Sequence, residues 1–360
     1  MADFAIIIHP VNLDLLHQFD SGTQGKNHEV IKKVLEWTPP FYTCPIEGTR
    51  SLTGKTVDGH FVMCPLLPDQ ILNHDPQFVL EKVIGAAKIA EGLGIKLLGL
   101  AAYVSLVGRR GILVEKDVSV PVTTGTAYTI ATALEATFYA AQLVGIQLES
   151  SRAVVVGATG SIGSVCSAIL STKVKELTLV ARNKQRLSDL AISLKRGGAI
   201  LEINDSPLVG TENADIVISC TNTPATLIDA KRLSPGTVVC DVSQPHNIDA
   251  EAASKRQDIL VIDGGVVLPP GNVNFNFNFG LSPGLAFACI AETMILALEE
   301  RYESYSLGGN ISLSKVREIA TLGKKHGFRL AELRSFGHKV AEEQVGQVRE
   351  ARSLSYRKSR

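Results

Sequence analysis

The sequence predicts an α/β protein in which a doubly wound parallel sheet of the Rossmann type is joined to a second α/β domain. Three observations carry this expectation. Between residues 151 and 265, short Val/Ile/Leu runs alternate with helical stretches, the pattern of parallel strands covered on both faces. The first of those runs ends in a glycine-rich turn, Gly157-Ala158-Thr159-Gly160-Ser161-Ile162-Gly163, which opens directly into a helix. At 360 residues the chain also exceeds what one hydrophobic core usually accommodates, so two domains are expected.

In the N-terminal domain, residues 1–122, strands are expected over 4–8, 59–66 and 97–100, with a helix over 78–93 whose Val79, Val83, Ala86, Ala87 and Ala90 share one face. Thr123-Thr124-Gly125 opens a long apolar helix, roughly 127–144, which Gly145 closes; residues 123–150 form a link. The Rossmann domain, 151–268, has expected strands over 153–156, 176–180, 199–203, 216–219, 237–241 and 259–263, with helices over 163–172 and 185–194. A C-terminal segment, 269–336, starts with Val273-Asn-Phe-Asn-Phe-Asn-Phe279. Its period of two predicts an extended strand with three Phe on one side and three Asn on the other, either a half-buried edge or the wall of an apolar channel. Ser282-Pro283-Gly284 then caps an apolar helix of about 285–301, and a last helix over 314–325 ends at His326-Gly327. The charged tail, 337–360, is weakly patterned, and a loose helix or no fixed structure is expected there.

Lys+Arg and Asp+Glu balance at 36 each, which argues against nucleic acid and against a membrane surface as partners. The six cysteines, Cys44, Cys64, Cys166, Cys220, Cys240 and Cys289, contain no CxxC pair, so neither a disulfide framework nor a zinc site is indicated. No apolar run approaches about 18 residues, and the N-terminus lacks a basic leader. A cytoplasmic protein with free thiols and no stable membrane insertion is expected.

Glycines at 157, 160 and 163 would let a pyrophosphate approach the backbone and meet the helix N-terminus; the plainer reading is a tight strand-to-helix turn. The next strand ends in Val180-Ala181-Arg182-Asn183-Lys184, where an acidic residue would bind the ribose hydroxyls of NAD. Arg182 instead suits the 2′-phosphate of NADP, aided by Asn183 or Lys184, so NADPH is the expected cofactor. Cys220-Thr221-Asn222 and Gly264-Gly265, at strand ends on the carboxyl edge, are expected to border its nicotinamide.

Val156-Gly-Ala-Thr-Gly160, Ala181-Arg182-Asn183 and Gly264-Gly-Val-Val267, together with Trp37-Thr-Pro-Pro40, Thr53-Gly-Lys55, Cys64 with Leu67-Pro68, Thr123-Thr124-Gly125, Phe287-Ala-Cys289 with Ala291-Glu292, and His326-Gly-Phe328, resemble the long-chain acyl-[acyl carrier protein] reductases of cyanobacteria and their bacterial relatives. The resemblance covers about residues 4–328. It implies NADPH-dependent reduction of a fatty acyl thioester, carried by acyl carrier protein or coenzyme A, to the aldehyde through a cysteine-bound acyl intermediate. The family's nucleophile falls on Cys289. The segment before Cys289 and the longer tail depart from the family pattern.

Taken without the resemblance, Cys289 in Ala-Phe-Ala-Cys-Ile-Ala fits a small buried core residue as well as a nucleophile. Near a helix N-terminus its thiol would ionise more easily, and Glu292, three residues on, shares its face as a candidate proton carrier that would also oppose the thiolate. Cys220 is the rival thiol, and Cys64 is read as packing. His9 and His246 are candidate acids. Ser219-Cys220-Thr221-Asn222 also looks like the cofactor lobes of shikimate dehydrogenase or glutamyl-tRNA reductase. An NADP oxidoreductase of the shikimate- or amino-acid-dehydrogenase type, acting without covalent catalysis, is therefore the alternative, and an NADPH-binding sensor a third.

Overall fold

The computed structural model describes residues 2–13, 16–17, 21–223, 225–243 and 245–358. The chain forms two compact units, Met1–Thr129 with Val267–Arg329, and Ile130–Val266 with Leu330–Arg360.

The first unit is built on strands β1 (Phe4–Ile8), β2 (Phe41–Arg50), β3 (Thr56–Met63), β4 (Leu97–Leu100) and β5 (Val122–Thr123). From one edge the order is Gly271–Asn274, β2, β3, β1, β4, β5. β3, β1, β4 and β5 are parallel, whereas β2 and the edge strand are antiparallel. β1 and β4 are buried along their whole length, because each face carries a helix. Helix Pro76–Gly92 packs Val79, Val83, Ala86, Ala87 and Ala90 with Ala5, Ile7, Val62 and Leu98. Gly99 points the other way along β4, and a Cβ there would stand 2.3 Å from Thr293 Oγ1. This glycine lets helix Ala288–Leu298 lie close on the opposite face.

Strand β2 was not expected, because Pro45 and Gly48 break its pattern. Gly48 falls in a register shift between Ile46 and Thr49, whereas Pro45 stays in the ladder opposite His60. The Asn/Phe segment is corrected too: its strand stops at Asn274, and Asn276 turns left-handed with φ 49.

The second unit holds β6 (Arg152–Val156), β7 (Glu176–Val180), β8 (Ile200–Asn204), β9 (Ile216–Ser219), β10 (Val238–Asp241) and β11 (Leu260–Asp263). Every ladder is parallel, in the order β11-β10-β9-β6-β7-β8. This is the doubly wound, Rossmann-type sheet that the sequence predicts, with the order reversing between β6 and β9. The tail, expected as a loose helix or without fixed structure, is helical and packed. It forms a helix, Glu342–Lys358, that buries Val345 and Val348. Arg352, 9% exposed, forms an ion pair with Asp215 at 2.7 Å. Three apolar or paired contacts on one face thus hold a helix whose sequence pattern is weak. Among the described residues no helix is long and apolar enough to cross a membrane.

Candidate active site

The Cys289 helix starts at Ala288 rather than near 285, which places Cys289 in its first turn. Phe287, the residue before it, supplies no side-chain cap, so the leading amides keep their N–H groups for another acceptor. The amides of Ala102, Ile290 and Cys289 itself lie near the Cys289 sulfur and favour its thiolate. Burial pushes the thiol up, these amides pull it down, and the Glu292 carboxylate pushes it up, with a net rise. Every other residue of the helix is buried, whereas Cys289 keeps part of its surface open.

The loop Thr123-Thr124-Gly125 lies directly against it. Gly125 has φ +73, and a Cβ there would stand 2.2 Å from Cys289 Cα. Glu292 fixes this loop. Its fully buried carboxylate accepts from Thr123 Oγ1 at 2.6 Å and from the Tyr128 amide at 2.8 Å. The Ser306 hydroxyl and the Gly125 amide complete the set; burial raises the carboxyl pKa while these bonds lower it, and burial wins. Ala102 and Ser306, both with φ 49, are non-glycine residues in left-handed backbone at the same place, a strain of about 1–3 kcal/mol each that surrounding structure must hold. The rival thiols lie elsewhere. Cys220 is buried, donates to the Val156 carbonyl at 3.3 Å, and is pushed by burial beyond the usual thiol range. Cys64 is fully buried and pushed up to about 12.

At the carboxyl ends of β1 and β3, residues His9, Pro10, Val11, Leu16, Met63, Phe277 and Phe279 line a small open cleft. Phe275 is buried and Phe277 and Phe279 half-buried, while Asn274, Asn276 and Asn278 are exposed, so the two-sided alternation persists beyond the strand. The Phe61 ring lies 6.1–6.2 Å from all three phenylalanines. Phe279 in turn lies 6.0 Å from Phe287, which immediately precedes the Cys289 helix. On the outer side Asn276 pins the segment, its Nδ2 donating to Pro45 O at 3.2 Å and Glu47 Oε2 at 3.1 Å. His9 is a wall of this cleft, not an acid. Burial lowers its pKa to about 4, Nδ1 donates to the Pro10 carbonyl, and Nε2 accepts from the Tyr103 amide.

In the second unit β6 runs into Gly157, whose φ of +88 makes the turn. A Cβ on Gly163 would stand 2.2 Å from Gly157 O, so the helix Ser161–Leu170 packs onto the turn itself. Gly160 is its N-cap and brings no side-chain acceptor, which leaves the first helical amides of Ser161, Ile162 and Gly163 available to an anion. Ala158 is buried and its amide donates to Val180 O, tying the turn to β7. These features fit a dinucleotide pyrophosphate. Arg182, after β7, is exposed. Asn183 caps helix Lys184–Leu194 by accepting from the Arg186 amide at 3.0 Å, and Lys184 pairs with Asp205 at 2.9 Å, so both of Arg182's expected helpers have other work. Arg186, in the first turn of that helix, also reaches the glycine turn. Its guanidinium donates to Thr159 O at 2.7 Å, beside the glycine turn.

Thr221 Oγ1 donates to Asn247 Oδ1 at 2.7 Å, Asn222 is exposed, and Gly264-Gly265 turns the chain after β11 with φ 81 at Gly265. His246 sits between Asp241 at 3.6 Å and Asp263 at 3.5 Å. Burial lowers its pKa, but the two carboxylates outweigh burial and raise it overall. Among the described residues no group of three or more His, Cys, Asp or Glu is placed to hold a metal.

Residues 139–263 match the Shikimate / quinate 5-dehydrogenase family. Over 297 residues the chain is 29% identical to a long-chain acyl-[acyl-carrier-protein] reductase of Synechococcus elongatus, covering 78% of this chain and 84% of that protein. Over 300 residues it is 31% identical to the aminotransferase PigE of a Serratia strain, covering 82% of this chain; the chain spans 35% of that protein's length. Among solved structures, glucose dehydrogenase from Haloferax mediterranei aligns with a TM-score of 0.31 and 19% identity, over 38% of this chain and 43% of that one. The chain is thus related to a reductase family and carries a shikimate-dehydrogenase-like segment.

Proposed function

We propose that this chain uses NADPH to reduce a fatty acyl thioester, presented by acyl carrier protein or coenzyme A, to the aldehyde through an acyl group held on Cys289. The observation that supports it most is the Cys289 sulfur itself, partly open in a buried helix start and facing three amide N–H groups. A thiolate so held attacks the thioester carbonyl carbon, and the carrier's sulfur leaves with the C–S electron pair and takes up a proton. When bound, NADPH would supply a hydride to the acyl carbon, and with a proton added to the former carbonyl oxygen acyl-Cys289 becomes a thiohemiacetal. The thiohemiacetal oxygen then loses its proton as the C–S bond to Cys289 breaks, which frees the aldehyde and returns the thiolate. Each turnover consumes one hydride and one proton.

The other residues bind and position. The phenylalanine cleft takes the acyl chain, each buried methylene being worth about 0.8 kcal/mol. Glu292 holds the Thr123–Gly125 loop against the nucleophile and is a positioning residue. The turn from Gly157 to Gly163 would hold the pyrophosphate, Arg182 with Arg186 the 2′-phosphate, and Thr221, Asn222, Gly264 and Gly265 would border the nicotinamide. Incubation with an acyl thioester and no NADPH should raise the intact mass by one acyl group, mapped to Cys289. Cys289→Ala should lose both adduct and aldehyde while still binding NADPH. Thioester reduction by that variant at the normal rate would favour the non-covalent, shikimate-dehydrogenase-like reading that the match over 139–263 supports.

A further inference from the structure

We propose that the turn Gly108-Arg109-Arg110-Gly111 binds the phosphate at the far end of the pantetheine arm of the thioester carrier, with Arg109 as its cationic ligand. The inference rests on the thioester reading above and names the part of the substrate which that reading leaves unplaced. All four residues have positive φ, at 60, 57, 58 and 83, so the chain makes a left-handed helical turn, closed by the Gly111 amide donating to Val107 O at 2.9 Å. L-residues avoid this conformation, and two adjacent arginines held in it mark a place where backbone strain is retained for something other than stability.

The turn's position indicates what that is. It follows β4 at the carboxyl edge of the parallel strands, where α/β sheets take their ligands. The stretch Ala102–Leu106 that leads into it begins at the residue whose amide meets the Cys289 sulfur. At its other end, a Cβ on Gly111 would lie 3.3 Å from Thr124 Cγ2, next to the Gly125 that rests on Cys289. The turn is therefore braced against both elements that hold the nucleophile. Arg109 is exposed and makes no ion pair with the described residues. The Arg110 carbonyl accepts from the Gly308 amide at 3.0 Å, which holds the turn to the chain at Gly308. A guanidinium fork suits a phosphate, and a phosphate ends the pantetheine arm on coenzyme A and on a carrier protein alike.

The test is calorimetric titration of the full chain, saturated with NADPH, by 4′-phosphopantetheine and by pantetheine. The wild type should prefer the phosphorylated probe by at least about tenfold, the scale of a charge-assisted hydrogen bond. Arg109→Gly, which relaxes the backbone and so keeps the fold, should erase that preference and unfold at no lower temperature; Arg109→Lys should keep part of it. Equal binding of the two probes by the wild type, undetectable binding of 4′-phosphopantetheine, or a preference surviving in Arg109→Gly overturns the proposal. Parallel titrations with coenzyme A and with holo carrier protein identify the source, as the one whose affinity Arg109→Gly reduces; loss for neither also overturns it. An Arg109-dependent preference in a protein that forms no Cys289 adduct would leave this site standing and remove the reductase reading. An adduct formed equally well by wild type and Arg109→Gly from coenzyme A and from carrier thioesters would do the reverse.

Discussion

A thiol whose pKa is raised by burial is a nucleophile only to the extent that it ionises, and at Cys289 two groups decide that extent. Three amides favour the thiolate and Glu292 opposes it. Acyl-enzyme formation should therefore accelerate with pH throughout the neutral range, with no plateau below the ordinary thiol value of 9.0. Rapid-mixing measurement of adduct formation checks this, and a plateau near neutrality would show that the amides prevail. Glu292→Gln separates positioning from proton transfer. It removes the opposing charge, so the apparent thiol pKa should fall, while a new N–H donor faces groups that already donate, at a cost of about 1–3 kcal/mol in stability. Faster acylation in a less stable protein fits positioning; intact stability with lost turnover fits a proton carrier. The sign of the acid dependence follows from the same group. Its folded pKa lies above 4.5, so the folded chain holds this proton more tightly, and Glu292 removes stability as pH rises from the unfolded value through the folded one. In the second unit, Arg182→Ala should weaken NADPH by about 1.5–3 kcal/mol and leave NADH nearly unchanged. Equal losses for both cofactors would refute its assignment to the 2′-phosphate.

Elements set these residues in place through close approaches that a methyl group would block. Gly125→Ala should abolish the Cys289 adduct, because its Cβ would collide with Cys289 Cα in a backbone that already disfavours a side chain. Gly163→Val should instead impair NADPH binding and spare the adduct, since its collision is with Gly157 in the other unit. Adduct loss in Gly163→Val, with the protein still folded, would contradict this division of labour. Much of this was legible in the sequence, where buried parallel strands read as continuous apolar runs: β1, β4, β7 and β9 lie where the pattern puts them. Strand β2 was hidden by Pro45, which pairs with His60, and by Gly48, which falls in a register shift that no local pattern records. The phenylalanine segment shows the converse. Its alternation gave the correct inner and outer faces, but the conformation came from Asn side chains turning back on the main chain. Cys289 and the glycine turn were visible as motifs, whereas the left-handed backbone at Ala102 and over residues 108–111 leaves no side-chain pattern to read.

Across the whole molecule, two units with separate cores should respond separately to perturbation. The tail helix belongs to the unit with the glycine turn, and Arg352 joins it there to Asp215 with both side chains largely buried. Removing one partner of such a pair leaves a carboxylate with its Oδ1 unsatisfied, although Oδ2 still accepts from the Arg152 amide at 2.8 Å. Arg352→Ala should accordingly destabilise the second unit by about 2–3 kcal/mol, below the full cost of a broken buried pair. NADPH at a hundredfold excess over its Kd should return about 2.7 kcal/mol to the same unit, because only the folded lobe binds it. Calorimetry should then show two transitions, one lowered by Arg352→Ala and raised again by NADPH, the other indifferent to both. Cys289 acylation without NADPH should proceed in Arg352→Ala at the wild-type rate below the lower transition. A single transition shifted as a whole by either perturbation would mean that the two cores unfold as one. In that case the tail helix would govern the stability of the nucleophile's surroundings as well as that of the cofactor lobe.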